Sequence, residues 1–95
     1  MPAYVVADID VHDAAKFEEY KKQAGPCAAE FGGRYVVRGG ALENLEGTWS
    51  PKRLVILEFP SVEKAKAWWD STSYAGAKAI RQEAARSQFV VIEGL

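Results

Sequence analysis

The chain is poor in the residues that build most metal, redox and nucleophilic sites. Its one cysteine, Cys27, excludes an internal disulfide and any multi-cysteine metal site. Its one histidine, His12, is the only imidazole available for proton transfer near neutral pH. No charge sign dominates: 12 basic against 13 acidic residues leave a net charge of −1. That balance argues against a nucleic-acid or acidic-membrane partner. No apolar run approaches the roughly 20 residues needed to cross a bilayer. Met1-Pro2 leads straight into a short apolar strand pattern, so no signal peptide is expected and a soluble, cytoplasmic protein is. A phosphate loop, zinc spacing, dinucleotide fingerprint and serine elbow are all missing, so neither a metal nor a cofactor is expected. Ninety-five residues, 48% of them hydrophobic, suffice for one folded domain over residues 1–95. So short a chain buries only about 60–65% of its unfolded surface, and a second copy would help it.

Ala3 to Asp10 reads as a strand with Val5, Ala7 and Ile9 on a wholly apolar face and Tyr4, Val6, Asp8 and Asp10 on a mixed one. Asp13 is a candidate N-cap for an amphipathic helix from about residue 14 to 31, in which Phe17, Tyr20, Ala24, Cys27 and Phe31 recur at helical spacing. Pro26 predicts a kink in it. Gly32-Gly33 can end the helix, and Arg34 to Arg38 is a second strand with Arg34, Val36 and Arg38 on one side and Tyr35 and Val37 on the other. Gly39 to Pro51 is a long loop carrying Glu43, Glu46 and Trp49. Lys52 to Phe59 is a third strand, its Arg53, Val55, Leu57 and Phe59 on one face. Pro60 stops it, and Ser61 caps a second helical segment interrupted around Ser71 to Ser73. Trp68 and Tyr74 lie on its apolar side with Arg81. Gln88 to Glu93 is the last strand.

The order β-α-β-β-α-β is the ferredoxin-like arrangement, an α+β fold. Right-handed crossovers predict an antiparallel sheet ordered 4-1-3-2 with both helices on one face. Val5/Ala7/Ile9 and Val55/Leu57/Phe59 belong under those helices. Val6, Val36, Leu54 and Ile56, with Tyr4, Asp8, Arg38 and Glu58 among them, then fall on an uncovered face. Such a patch predicts a twofold dimer packed sheet to sheet, with a cavity between the sheets. Strand direction places Asp8 and Arg38 at one end of this face, beside the long loop, and Glu58 at the other end near Tyr4 and Arg34.

Phe31-Gly-Gly-Arg34, Val37-Arg-Gly-Gly40, Glu46-Gly47-x-Trp49 and Glu58-Phe-Pro-Ser61 stand in order along the chain, with Tyr20, Arg53, Ala65, Trp68 and Ser73-Tyr74 around them. With this combination the whole chain resembles the bacterial family called domain of unknown function 1330, in the dimeric α/β-barrel superfamily. The resemblance implies the ferredoxin-like fold and homodimeric pairing through the sheets. That family has no established activity and lends no catalytic residue. Related barrels include cofactor-free monooxygenases, isomerases and dehydratases, an analogy of fold alone.

The candidate site is therefore the mouth of the inter-sheet cavity, a place for a small anionic or carbonyl-bearing organic molecule. Arg38 is either a bidentate anion clamp or a structural partner of Asp8 or Glu46. Asp8 is a general base if apolar walls raise its pKa, and otherwise a counter-ion. His12, in the turn after the first strand, is a weaker candidate for proton transfer. Glu46 and Trp49 form a lid or a lock on the partner subunit. Tyr4, Leu54 and Ile56 complete the lining of the cavity. A non-catalytic ligand-binding or sensor module and a purely structural dimer are the rival readings.

Overall fold

The computed structural model describes residues 1–95. Strand β1 (Ala3–Val11) alternates between buried and part-exposed positions from Ala3 to Ile9, and Val5, Ala7 and Ile9 face the helices. Helix α1 (Ala14–Ala29) starts at Asp13, whose carboxylate accepts the Lys16 N–H at 3.1 Å. It runs unbroken through Pro26 and buries Phe17, Tyr20, Ala24 and Ala28, with Cys27 and Phe31 only packed against the edge of the core. The chain then turns through Gly32 at φ 78°, and a Cβ on Gly33 would sit 2.5 Å from the Phe59 ring. That close approach needs a glycine, and it is what brings β2 (Arg34–Arg38) in beside β3 (Leu54–Phe59).

The sheet order is β2-β3-β1-β4, all neighbours antiparallel, which is the expected 4-1-3-2 order read from the other edge. The second helical segment is two helices, α2 (Val62–Asp70) and α3 (Thr72–Ala84), so three helices lie over the sheet. Ser71 joins them. Its hydroxyl donates to the Trp68 carbonyl at 2.8 Å and accepts the Tyr74 N–H at 3.1 Å, so one side chain ends α2 and caps α3. Strand β4 (Ala85–Glu93) follows with no loop, three residues earlier than the sequence pattern suggests. The Ala84 carbonyl accepts both the His12 and Asp13 N–H groups, at 2.9 and 3.0 Å. That anchor lets Ala85, Arg86 and Ser87 pair at once with Val11, Asp10 and Ile9.

Between helices and sheet, Phe59, Trp68 and Tyr74 are fully buried, with ring centroids 5.3 Å (Phe59–Trp68) and 4.2 Å (Trp68–Tyr74) apart. The opposite sheet face carries Val6, Leu54, Ile56, Val37, Val90 and Ile92 without a covering layer, and Val90 and Ile92 are 61% and 58% exposed. No helix is long and apolar enough to cross a membrane.

Candidate functional site

The strand parity that puts Arg38 on the open face does not hold. Arg34 pairs with Glu58 and Tyr35 with Leu57, but Val37, not Val36, pairs with Ile56, and Arg38 pairs with Val55. Val36 is the extra residue of a β-bulge, and one inserted residue exchanges the two faces of everything after it. Arg38 therefore turns to the helix side, its guanidinium 4.5 Å from the centre of the Tyr35 ring, while Val37 joins the open apolar face. Asp8 and Arg38 share an end of the sheet but lie on opposite sides of it.

On the open side the polar side chains gather at the two ends of the sheet. At one end the Asp8 carboxylate accepts the Trp49 indole N–H at 3.1 Å, which ties the loop after β2 to β1. Glu46 is exposed in that loop and ion-pairs with neither Arg38 nor any other cation. At the other end Tyr4 donates to Glu58 at 3.2 Å and Arg34 pairs with Glu58 at 2.5 Å. The Glu58 charge, with that hydrogen bond, holds the Tyr4 hydroxyl above its ordinary pKa. Leu54 and Ile56 lie half-buried between the two ends. His12 is exposed, and only its backbone N–H is bonded.

The helix side holds a denser array. Arg53 continues the buried face of β3, and its guanidinium lies 5.6 Å from the centre of the Phe17 ring. It also lies against Gly39, which is at φ 68°, and any Cβ there would strike it. The glycine after Arg38 thus makes room for Arg53. Tyr20 and Tyr74 share a hydroxyl hydrogen bond of 2.8 Å in the core. Arg38, Arg53, Tyr20 and Tyr35 border a narrow cleft of about 10 Å³, room for roughly one water molecule.

Burial, reinforced by the neighbouring Tyr74 hydroxyl, pushes the Tyr20 hydroxyl far above its ordinary value of 10.0. Tyrosine in the unfolded chain ionises near 10.0, so unfolding releases a proton that the folded state retains. The stabilisation is complete below pH 10 and is lost as pH rises above it. We expect alkaline unfolding and Tyr20 ionisation to coincide when tyrosinate absorbance and far-ultraviolet circular dichroism are followed together. A full tyrosinate signal from a still-folded protein would contradict this.

Behind the tyrosines, Arg81 of α3 is 3% exposed. Its guanidinium stacks 4.2 Å from the centre of Phe89 and lies 5.7 and 5.8 Å from those of Trp69 and Tyr20. It forms no ion pair, and its Nε and Nη2 are buried without an acceptor. Arg81 borders a depression of about 420 Å³ between α3 and β4, widely open to solvent and lined also by Trp69, Phe89, Gln82, Arg86 and Ser87. The buried Ser87 hydroxyl also has no partner. The helical periodicity places Arg81 on the apolar stripe of α3. What it does not reveal is that no carboxylate meets it there.

The family model for a domain of unknown function, DUF1330, matches residues 2–95. The chain belongs to the DUF1330 family. This DUF1330 chain is similar in structure to the RPA0582 protein of unknown function from Rhodopseudomonas palustris (22% identity, TM-score 0.80), covering 99% of this chain and 82% of that one. It is also similar to a dimeric ferredoxin-like protein of unknown function from Jannaschia sp. CCS1 (13% identity, TM-score 0.73), covering 99% and 100%. A third likeness is to SnoaB, a cofactor-independent oxygenase from Streptomyces nogalater (10% identity, TM-score 0.65), covering 99% and 93%. At these identities the likeness establishes the ferredoxin-like fold of the DUF1330 chain and no activity. No curated protein matches the sequence.

Proposed function

We propose that the protein is a homodimer, joined through the open faces of its two sheets, that binds a small organic molecule between the helices and the sheet of each subunit. The observation that carries the ligand reading is the depression of about 420 Å³ beside the buried, unpaired Arg81. Its size falls in the range of small-molecule sites, and Arg81, Gln82, Arg86 and Ser87 give it a mainly polar lining beside the aromatic wall of Trp69 and Phe89. The ligand in this reading lies on the other side of the sheet from the inter-sheet mouth, and the bulge at Val36, which turns Arg38 to the helix side, supports that choice.

The aliphatic face of Val6, Val37, Leu54, Ile56, Val90 and Ile92 supports the dimer, as does the likeness to a dimeric ferredoxin-like protein. The loop after β2 also supports it. Leu45 and Trp49 there are 96% and 64% exposed, and the Trp49–Asp8 bond holds that loop beside the open face, where a second subunit would cover it.

Sedimentation velocity together with thermal scanning against small aromatic compounds, charged and neutral, tests the reading. We expect a dimer whose melting temperature rises with at least one class of compound. Saturation at a hundred times Kd contributes about 2.7 kcal/mol. A monomer would remove the first half of the proposal, and indifference to every compound the second.

A further inference from the structure

We infer that the mouth of the cleft between α1 and the β2–β3 edge of the sheet is a binding site for a phosphate-type oxyanion, with Arg38, Arg53 and the Tyr35 hydroxyl as its donors. It is separate from the depression beside Arg81. The chain as a whole has a net charge of −1, yet the ionisable side chains lining this cleft are Lys21, Arg38, Arg53, Tyr20 and Tyr35, with no carboxylate among them. Glu18 pairs with Lys21 at 2.9 Å, which leaves the two arginines as the unmatched charges. Neither forms an ion pair. Burial holds the Tyr35 hydroxyl above its ordinary pKa while Arg38 and Arg53 both pull it down, so both guanidiniums lie near that one hydroxyl. Two cations gathered there repel each other, and an anion between them turns that repulsion into attraction.

The donors are accessible without any movement of the chain. Arg38 is exposed, and Arg53 and Tyr35 are part-buried. Only the Nε of Arg53 is buried without an acceptor, which leaves both of its Nη groups accessible. Both guanidiniums are also held in place. The Val36 bulge brings Arg38 to the same side of the sheet as Arg53, where it stands 4.5 Å from the centre of the Tyr35 ring. Arg53 is seated 5.6 Å from the centre of Phe17, and Gly39, at φ 68°, clears the space that its Nη1 occupies. The forks are thus positioned before an anion arrives. One planar fork serves a carboxylate, whereas two forks from different chain segments and a hydroxyl suit a tetrahedral dianion. The cleft beneath them holds only about 10 Å³, so the phosphoryl group stays at the mouth and any body it carries extends into solvent. The site lies on the helix side, so a second subunit on the open face leaves it free.

The test is a titration of the intact protein with sodium phosphate at about pH 8, where phosphate is largely the dianion, followed by backbone amide NMR shifts at constant ionic strength. We expect saturable shifts at Tyr35, Gly39 and Arg53. Arg38→Gln and Arg53→Met should each weaken phosphate binding roughly tenfold, the worth of a charge-assisted hydrogen bond. Lys64→Gln, which removes an exposed cation from α2, should leave binding unchanged and so separates a local site from general attraction to positive charge. If Arg53→Met fails to fold, the exposed Arg38→Gln and Tyr35→Phe, which should lose less, provide the comparison. Phenyl phosphate distinguishes two sources of the group: binding no tighter than inorganic phosphate assigns the free ion, and tighter binding assigns a monoester. A response that never saturates, or that sodium chloride reproduces, would overturn the site. Undiminished phosphate binding by folded Arg38→Gln and Arg53→Met would overturn it as well.

Discussion

If the proposed sheet-to-sheet dimer forms, Val6→Asp should convert it to monomers while leaving each subunit folded. Val6 sits on the central strand β1, with Ile56 opposite on one side and Val90 opposite on the other, all on the open face. Its side chain points away from the helices, so the buried cluster of Phe59, Trp68 and Tyr74 does not feel the change. In a sheet-to-sheet dimer, each subunit brings one new carboxylate into an apolar patch that offers it no cation. Burying an unpaired charge costs several kcal/mol, and every 1.4 kcal/mol is a factor of ten, so the dimer should weaken by at least about a hundredfold. Sedimentation across a dilution series reads this directly, and circular dichroism reports the fold. A dimer of undiminished affinity would mean that the subunits pair through another surface. Unfolding instead would mean that the open face contributes more to the fold of one subunit than its exposure indicates.

Trp68→Ala is expected to be the most damaging single truncation in the core. Trp68 is 1% exposed and packs against Phe59, Tyr74 and Trp69, with centroids 5.3, 4.2 and 6.1 Å away. Truncating a buried tryptophan costs about 3–5 kcal/mol, through lost transfer energy and the void left behind. A domain of this size has only roughly 5–14 kcal/mol in total. The melting temperature should fall by roughly 12–40 °C, at about 4–8 °C per kcal/mol. Trp68→Phe separates packing from polarity. The Trp68 indole N–H is buried without an acceptor, so phenylalanine loses volume but also removes an unsatisfied donor. It should therefore be markedly milder than alanine in a urea titration. Equal losses for the two variants would show that the indole nitrogen matters and that packing does not explain the residue.

Much of this fold was legible because it depends on local pattern. Alternation in Val5/Ala7/Ile9 and Val55/Leu57/Phe59 identified two core strands and their buried faces. Asp13 and Ser61 marked two helix starts, since a side-chain acceptor at an N-cap is a local requirement. Element order then specified the sheet order through crossover handedness alone. Ser71 was recognisable as an interruption, and its double capping role follows from its position.

The candidate site was another matter. Arg-Tyr-Val-Val-Arg contains nothing to announce that Val36 is an extra residue. A bulge is a property of two paired strands, and β2 reveals it only against Leu57 and Ile56 of β3. One unpaired residue moved Arg38 to the opposite side of the sheet from Asp8. The early start of β4 likewise depends on the Ala84 carbonyl meeting the turn at His12 and Asp13, 71 residues away in the chain at its nearest. Arg81 shows the limit most clearly. The sequence determined that an arginine stands on the apolar stripe of α3. Only the tertiary structure decided that it is buried among aromatic rings with no carboxylate in reach, because satisfaction of a charge depends on every element that surrounds it.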